Sequence, residues 1–356
     1  MEMLVAPNPF RDRHVLVTGH TGFKGSWLVR WLTLLGARVS GLALAPQTAP
    51  ALYDEAGLAG TMDSHLADLR SLESTCAVVD STHPELIVHL AAQSLVRAGY
   101  ADPIGTYATN VMGTAHLLEA ARRAQVQAVV VVTSDKCYTP SADTAGHREG
   151  DPLGGPDPYS SSKACAELLS ACWRSSFGGP GAPRIASVRA GNVIGGGDWA
   201  ADRLVPDLVR AALAGQAAAI RNPHAIRPWQ HVLEPLAGYL RVGARLLEGD
   251  TRVERAWNFG PAATDMAPVS RVADALCQRL GGQWTTDGGA HPAEAPVLRL
   301  NSQDAIDQLG WHPRWPLDTT LDRVADWYQH HHEGADARSL MDAQIEAYGN
   351  PLEAAP

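Results

Sequence analysis

Tyr159 and Lys163 stand four residues apart in YSSSK, and Ser134 closes the β-branched run VVVVTS upstream of them. On a helix, residues four apart share a face, so the Lys163 ammonium is expected close to the Tyr159 phenol. A neighbouring positive charge favours phenolate and is expected to lower the tyrosine pKa towards neutrality. Tyr159 would then serve as a base for a hydroxyl proton while hydride leaves the same carbon. Directly after Ser134 come Asp135 and Lys136. Oxidising an alcohol moves one proton and one hydride, so two further ionisable groups imply a second proton transfer. An exposed turn carrying two charges is the competing reading of the same pair.

YxxxK arises often by chance, and its company makes it specific. Gly19-His20-Thr21-Gly22-Phe23-Lys24-Gly25 forms a GxxGxxG between HVLVTG, a short β-branched run, and SWLVRWLTLLGA, whose apolar residues recur at helical spacing. Glycines at a strand-to-helix turn allow close backbone approach, so that a pyrophosphate sits on the helix N-terminus. A dinucleotide cofactor follows. An acidic residue for the adenosine ribose often ends the second strand, but GLALAPQ offers no carboxylate there and no arginine for a 2′-phosphate. Asp68 in LADLR is the alternative near the adenine, with a solvated surface aspartate as its rival reading.

The elements that must hold these residues alternate. ARVSGLAL, ELIVHLAA, QAVVVVTS and PRIASVRAGNVIG read as buried strands, separated by helical segments such as VMGTAHLLEAARRA and YSSSKACAELLSACWRSS. This order predicts an α/β fold, a Rossmann doubly wound parallel sheet with a smaller C-terminal substrate-binding lobe. Residues 1–190 are assigned to the dinucleotide-binding domain and 191–356 mainly to the second lobe, with about 221–262 returning to the first. The later chain is rich in Gly, Pro and Trp, as in GGGDW, RNPHAIRPWQH and GWHPRWP. The stretch from His147 to Pro156 is expected as a loop over the site.

Composition narrows the partners. A chain of 356 residues with 45% hydrophobic and 19% charged residues can bury a sizeable core. Its formal net charge of -9, without a dense basic block, argues against a nucleic-acid or anionic-membrane partner. No apolar run reaches a membrane span, and MEMLVAPNPFRDRH lacks the order of a secretory signal, so a cytoplasmic location is expected. Five cysteines without a CxxC suggest neither disulfides nor zinc, and no metal is expected. Of 29 basic residues only Lys24, Lys136 and Lys163 are lysines, and each lies in a motif named above. Lysine offers a shiftable pKa that guanidinium does not.

Asn192 in RAGNVIGGGD and Arg227 in IRPWQH are candidates for a substrate diphosphate, because arginine presents a fork of donors to phosphate oxygens, although for either one alone a structural role is the stronger reading. Trp199, Trp229 and Trp257 read as core residues first. The run His330-His331-His332 has metal-ligand chemistry, but adjacent helical histidines point apart and are expected on the surface.

Together TGHTGFKGSW, HLAAQSLVR, TSDKCY, REGDPLGGPDPYSSSKACAEL, RAGNVIGGGDW and IRNPHAIRPWQHVLEPL resemble the extended short-chain dehydrogenase/reductase superfamily and, within it, the CDP-glucose 4,6-dehydratases. The resemblance runs from about Val15 to about Trp327. It implies NAD as cofactor and CDP-glucose as substrate: hydride leaves C4, water is eliminated across C5 and C6, and hydride returns to C6. In that scheme Tyr159 takes the 4-hydroxyl proton, Lys163 tunes it and holds the ribose, Ser134 bonds the 4-oxygen, and Asp135 protonates the departing 6-hydroxyl. Related dehydratases acting on other nucleotide sugars place a glutamate where this chain has Lys136. Lys136 is then either a neutral base at C5 or a cation stabilising the enolate.

The cofactor set expected on this basis is Gly19, His20, Thr21, Gly22, Phe23, Lys24, Gly25, Asp68, Leu69, Leu90, Ala91, Ala92, Thr109, Tyr159 and Lys163. The substrate set is Gln93, Ser134, Asn192, Arg203, Leu204, Arg227 and Trp229. Family members pair through two helices, here VMGTAHLLEAARRA and SKACAELLSACWRSS, so a homodimer is expected. Rival readings are a dehydratase for another nucleotide, a 4-epimerase, and a non-catalytic NAD(P)-sensing protein. Asp135 and Lys136 weigh against the epimerase, and the intact Tyr/Lys pair against the sensor.

Overall fold

Runs such as AVVVV alternate between two apolar environments along the strand, as a sheet covered on both faces requires. The computed structural model describes residues 8–141, 145–289 and 297–353; the first seven, part of the stretch read for a secretory signal, lie outside it. Seven strands form the central sheet: β1 (His14–Thr18), β2 (Arg38–Ala43), β3 (Asp63–Leu66), β4 (Leu86–His89), β5 (Ala128–Val132), β6 (Arg184–Arg189) and β7 (Ala256–Asn258). Their order is β7-β6-β5-β4-β1-β2-β3, and every neighbouring pair is parallel. Val15, Val17, Val88, Val130 and Val188 point into the larger core, whereas Leu16, Ile87, Val129, Val131 and Ile185 point into a smaller one on the opposite face.

The helices that matter for the site are α1 (Phe23–Leu34), α2 (Gly113–Arg123), α3 (Pro158–Phe177) and α4 (Leu233–Leu247). The smaller core is closed by α2 through Leu117, Leu118 and Ala121. Fourteen of the fifteen residues of α4 are buried, so this helix lies between the sheet and the later chain rather than on a surface. β3 went unnoticed in the sequence because DSHL is polar and half-exposed at the sheet edge. β7, drawn from the 221–262 segment, forms the other edge.

The second lobe is built from short pieces: strand pairs Ala217–Ile220 with Gln283–Thr286 and Ile226–Pro228 with Met266–Pro268, together with helices Leu204–Leu213 and Val269–Leu280. A division at residue 190 does not describe the C-terminus, whose last helix, Ala337–Tyr348, returns to α1. There Arg30 grips Asp342 at 2.5 Å, and Trp31 meets Tyr348 edge to face. His331 is a correction to the expected surface histidines: it stacks on Trp327, with ring centres 4.8 Å apart, and pairs with Glu55 at 3.2 Å. No cluster that could hold a metal exists among the described residues, and no described helix is long and apolar enough to cross a membrane.

The stretch expected as a loop over the site sits behind it instead. His147 stacks on Tyr138, Glu149 accepts from the Asn258 backbone N–H at 2.8 Å, and Arg189 donates to the Glu149 carbonyl. The edge strand β7 leaves the Asn258 N–H without a strand partner, and Glu149 satisfies it.

The two lobes meet at Gly196, whose carbonyl accepts from Trp27 Nε1 at 3.0 Å and where a Cβ would stand 2.0 Å from the buried Trp327 ring. Gly196→Ala is expected to cost about 1–3 kcal/mol of stability through overpacking, read as a lower urea midpoint with an unchanged slope. An unchanged midpoint would show that the Trp327 ring can move aside.

Candidate active site

β1 ends at a glycine because its neighbour demands one. Gly19 has φ +74°, and a Cβ there would lie 2.8 Å from the Ala91 backbone nitrogen. A Cβ on Gly25 would stand 2.1 Å from the Gly19 carbonyl oxygen, so the turn closes only with glycine at both places. Gly22, the N-cap of α1, is exposed towards the cavity, and no side chain caps the helix, which leaves its first N–H groups for an anion. This cradle sits where β1 and β4 adjoin and the strand order reverses, the usual crevice of an open parallel sheet.

A cavity of about 1280 Å³ opens above it, large enough for a dinucleotide and a second ligand. Of the expected contacts Gly19, Thr21, Gly22, Phe23, Lys24, Gly25, Asp68, Leu69, Leu90, Ala91, Ala92 and Thr109 line it. His20 does not. Its ring is fully buried on the other side of the turn, held by Ser64 Oγ at 2.8 Å and packed edge-on against Tyr53, and burial lowers its pKa to about 4. Asp68 is engaged by Arg70 through 2.6 and 2.9 Å bonds, which hold its carboxyl below the usual range.

The other wall carries Ser134, Asp135, Lys136, Tyr159 and Lys163, so all three lysines of the chain line one cavity. Asp157 caps α3 by accepting from Ser160 N at 3.0 Å, with Pro158 in its first turn, and this fixes Tyr159 at the helix start. Lys163 Nζ donates to the Val132 carbonyl at 3.1 Å; burial lowers its pKa to about 8. The phenol of Tyr159 is pushed up to about 12 by burial and by Asp135, with a Ser134 hydrogen bond and Arg203 opposing. This corrects the expected lowering. Desolvation outweighs the cations the protein itself supplies, and Lys163 spends its bond on the backbone.

Ser134 Oγ donates to Asp135 Oδ1 at 3.0 Å, while the buried Oδ2 has no partner among the described residues. A Cβ on Gly191 would overlap that carboxylate, so the glycine of RAGN makes room for it. Lys24 Nζ lies 3.5 Å from the Tyr239 hydroxyl; burial, Arg203 and Lys163 lower it to about 7 against the pull of Asp135.

Gln93, Asn192, Arg203, Leu204, Arg227 and Trp229 also line the cavity. Gln93 is braced by Thr106 and by the Leu95 N–H, and Arg203 reaches Asp198 at 3.0 Å and Ser94 at 2.8 Å. Trp229 is buried with its Nε1 on the Ala267 carbonyl, so it supports the wall more than it offers a face. Arg97, Asp202 and Arg221 line the cavity as well and were missed: Arg97 and Arg221 lie in the quoted segments HLAAQSLVR and IRNPHAIRPWQHVLEPL, but nothing in either segment says that they meet over Asp202.

The chain is similar to known proteins over nearly its full length. It is 46% identical over 353 residues to the CDP-glucose 4,6-dehydratase of Salmonella typhimurium, covering 97% of this chain and 98% of that protein. To the dTDP-glucose 4,6-dehydratase of Streptomyces griseus it is 28% identical over 334 residues, 89% and 94% of the two chains. The solved dTDP-glucose 4,6-dehydratase of Streptomyces venezuelae, with NAD bound, superposes with TM-score 0.78 at 24% identity, covering 91% of this chain and 99% of that one. A Thermotoga maritima UDP-glucose 4-epimerase gives 0.77 at 19%, covering 90% and 99%; such identities speak for the fold alone. The sequence model that matches residues 15–260 agrees with the glycine cradle and the Tyr/Lys wall: the chain belongs to the NAD dependent epimerase/dehydratase family.

Proposed function

We propose that the protein is a CDP-glucose 4,6-dehydratase, converting CDP-D-glucose to CDP-4-keto-6-deoxy-D-glucose. The observation that carries this reading is a second acid beside the Tyr159/Lys163 pair: a buried carboxylate, Asp135, whose Oδ2 has no partner among the described residues and whose edge lines the cavity. An alcohol oxidation or an epimerisation has no use for it, whereas loss of a hydroxyl needs a proton donor. The 46% identical relative bears the name of this activity.

The Gly19–Gly25 turn and the free α1 N-terminus would hold the pyrophosphate, and Lys163 the ribose. When bound, NAD supplies an acceptor that takes hydride from C4 and gives it back at C6, and in its oxidised form a positive charge. Tyr159 accepts the 4-hydroxyl proton, with Ser134 holding the oxygen. The resulting ketone acidifies the C5 proton, which Lys136 Nζ accepts, while Lys24, Lys163 and Arg203 supply positive charge for the enolate oxygen. Asp135, acting in its protonated form, gives its proton to the 6-hydroxyl, which leaves as water. Lys136 then returns a proton, exchanged with solvent, to C5, and the proton that Tyr159 took from the 4-hydroxyl restores Asp135.

The same reading places the enzyme in the cytoplasm and pairs two copies through the α2 and α3 region, where Met112, Leu168 and Phe177 are exposed. Sedimentation at micromolar concentration should give a dimer; a monomer mass there would remove the pairing.

Incubating the enzyme and NAD with CDP-, dTDP-, GDP- and UDP-glucose in deuterated water tests the reaction. The expected result is a product from CDP-glucose alone, lighter by one water and carrying one solvent deuterium. Unchanged masses for all four would sink the dehydratase reading. In the same assay Asp135→Asn should slow water loss more than C4 oxidation, so that 4-keto-glucose species or reduced cofactor accumulate; neither accumulating would remove Asp135 as the acid.

Lys163 should trade stability for activity. An ammonium held at about 8 instead of 10.5 costs on the order of 3 kcal/mol at neutral pH. The folded pKa lies below the unfolded one, so the cost is full below about pH 8 and fades as pH rises towards 10.5. Lys163→Met is expected to abolish turnover yet melt higher than the native enzyme at pH 7, with the gap narrowing by pH 10. A lower melting temperature at pH 7 would show that the bond to Val132 outweighs desolvation.

A further inference from the structure

At the cavity mouth one carboxylate is shared by two arginines from opposite walls. Arg97, in the short helix Val96–Ala101, donates from Nη1 to Asp202 Oδ1 at 2.8 Å. Arg221, just after the strand Ala217–Ile220, donates to the same oxygen at 3.0 Å and to the Asp202 carbonyl at 3.3 Å. Asp202 itself has φ +63° in the turn before the helix Leu204–Leu213, a conformation that aims its side chain without help from a regular element. The next residue, Arg203, makes a parallel link from Asp198 to Ser94 on the Rossmann side. All of these residues line the cavity.

Two guanidinium groups on a single oxygen is the arrangement a phosphate oxygen would meet. The side chains of Arg97 and Asp202 are 47% and 40% exposed, so solvent screens this link and little opposes its exchange for another anion. A diphosphate carries more charge than one carboxylate and has enough oxygens to engage both forks at once. Arg97 and Arg221 also stand on different lobes, so a ligand that bridges them ties the two walls together.

We propose that Arg97 and Arg221 form a diphosphate subsite of the nucleotide-sugar site, and that the Asp202 carboxylate is an internal stand-in which the substrate diphosphate displaces. The inference rests on the nucleotide-sugar reading above. An internal competitor lowers apparent affinity by the fraction of time it holds the site, and it selects for ligands with enough charge to evict it. Nucleoside diphosphates are therefore favoured over monophosphates, beyond what contacts to the base provide.

Calorimetric titration of the NAD-loaded enzyme with CDP and with CMP tests this. Asp202→Asn should tighten CDP by roughly 3- to 10-fold and CMP by much less, because the neutral amide no longer holds both cations. Arg221→Gln and Arg97→Gln should each weaken CDP by about 10-fold, and raise KM for CDP-glucose in step while kcat stays within about twofold. CDP affinity that is unchanged in both arginine variants, or weakened in Asp202→Asn, overturns the subsite. Turnover of CDP-glucose by the native enzyme separates the two readings. If it turns over and the variants bind CDP like the native protein, the subsite falls alone. If it does not, but UDP or dTDP shows the expected pattern, the subsite stands and the nucleotide assignment falls. Binding of no nucleoside diphosphate to any form overturns both.

Discussion

The cavity wall that carries Ser134, Tyr159 and Lys163 depends on one buried ion pair. Glu167, one turn after Lys163 on α3, accepts from Arg189 on β6 at 2.7 Å, from Ser187 at 2.7 Å, and from Thr133 at the end of β5 at 2.5 Å. Both charges are nearly inaccessible, and burial works hardest against the carboxylate; the Arg189 bond and charge, with the Thr133 and Ser187 bonds, still hold it below its ordinary range. Taking two ions from water costs several kcal/mol for each, which excellent geometry can at best offset. Its contribution is therefore one of register. Thr133 precedes Ser134, and Glu167 follows Lys163 by four residues, so one carboxylate fixes the distance between the strand end and the helix that share the chemistry. Arg189 carries the connection outward to Tyr138 and the Glu149 carbonyl, which explains why the stretch around His147 belongs behind the site.

The inner end of the cavity sets two lysines and an arginine near one another in a chain that is negative overall. Lys24 is repelled by Arg203 and Lys163 with Asp135 opposing, while Arg203 is paired with Asp198 and Lys163 faces Glu167. Burial releases part of the strain by drawing the Lys24 and Lys163 amines down to about 7 and about 8. The same burial lifts Tyr159 to about 12, roughly 7 kcal/mol away from a phenolate at neutral pH. The fold thus supplies the position of a base but not its ionisation. Oxidised nicotinamide would bring a further cation beside the phenol, and in the proposed reaction that would couple proton removal to the presence of the hydride acceptor.

Short-range pattern was legible wherever one environment decides the residue. The alternating apolar runs of β4 and β5, the glycine turn after β1 and the i, i+4 spacing of Tyr159 and Lys163 each follow from local geometry, and the structure has them where the sequence places them. What failed depended on the third dimension. GHTGFKG does not say which side of the turn His20 faces; the lack of a Cβ on Gly41, 2.3 Å from where the His20 ring needs to be, decides that. Desolvation of Tyr159 is invisible in YSSSK. Nor does any spacing announce Arg97, Asp202 and Arg221, which meet only because the fold brings a short helix, a turn and a strand end to one mouth.

The near absence of lysine now has a physical account. Where a fixed charge is needed this chain uses arginine: Arg189 on Glu167, Arg30 on Asp342, Arg203 on Asp198, Arg314 on the carbonyls of Tyr348 and Asn350. A guanidinium keeps its proton in such places whatever the surroundings, and its fork matches a carboxylate. Lys24 and Lys163, buried in the cavity beside the fixed charge of Arg203, meet a different requirement: an amine can lower its proton affinity, as both do, where a guanidinium cannot. Lys24, inside the glycine turn, lines the same cavity as Lys163 and lies beside Tyr239, so its place is as much in the cavity wall as in the turn that its motif describes.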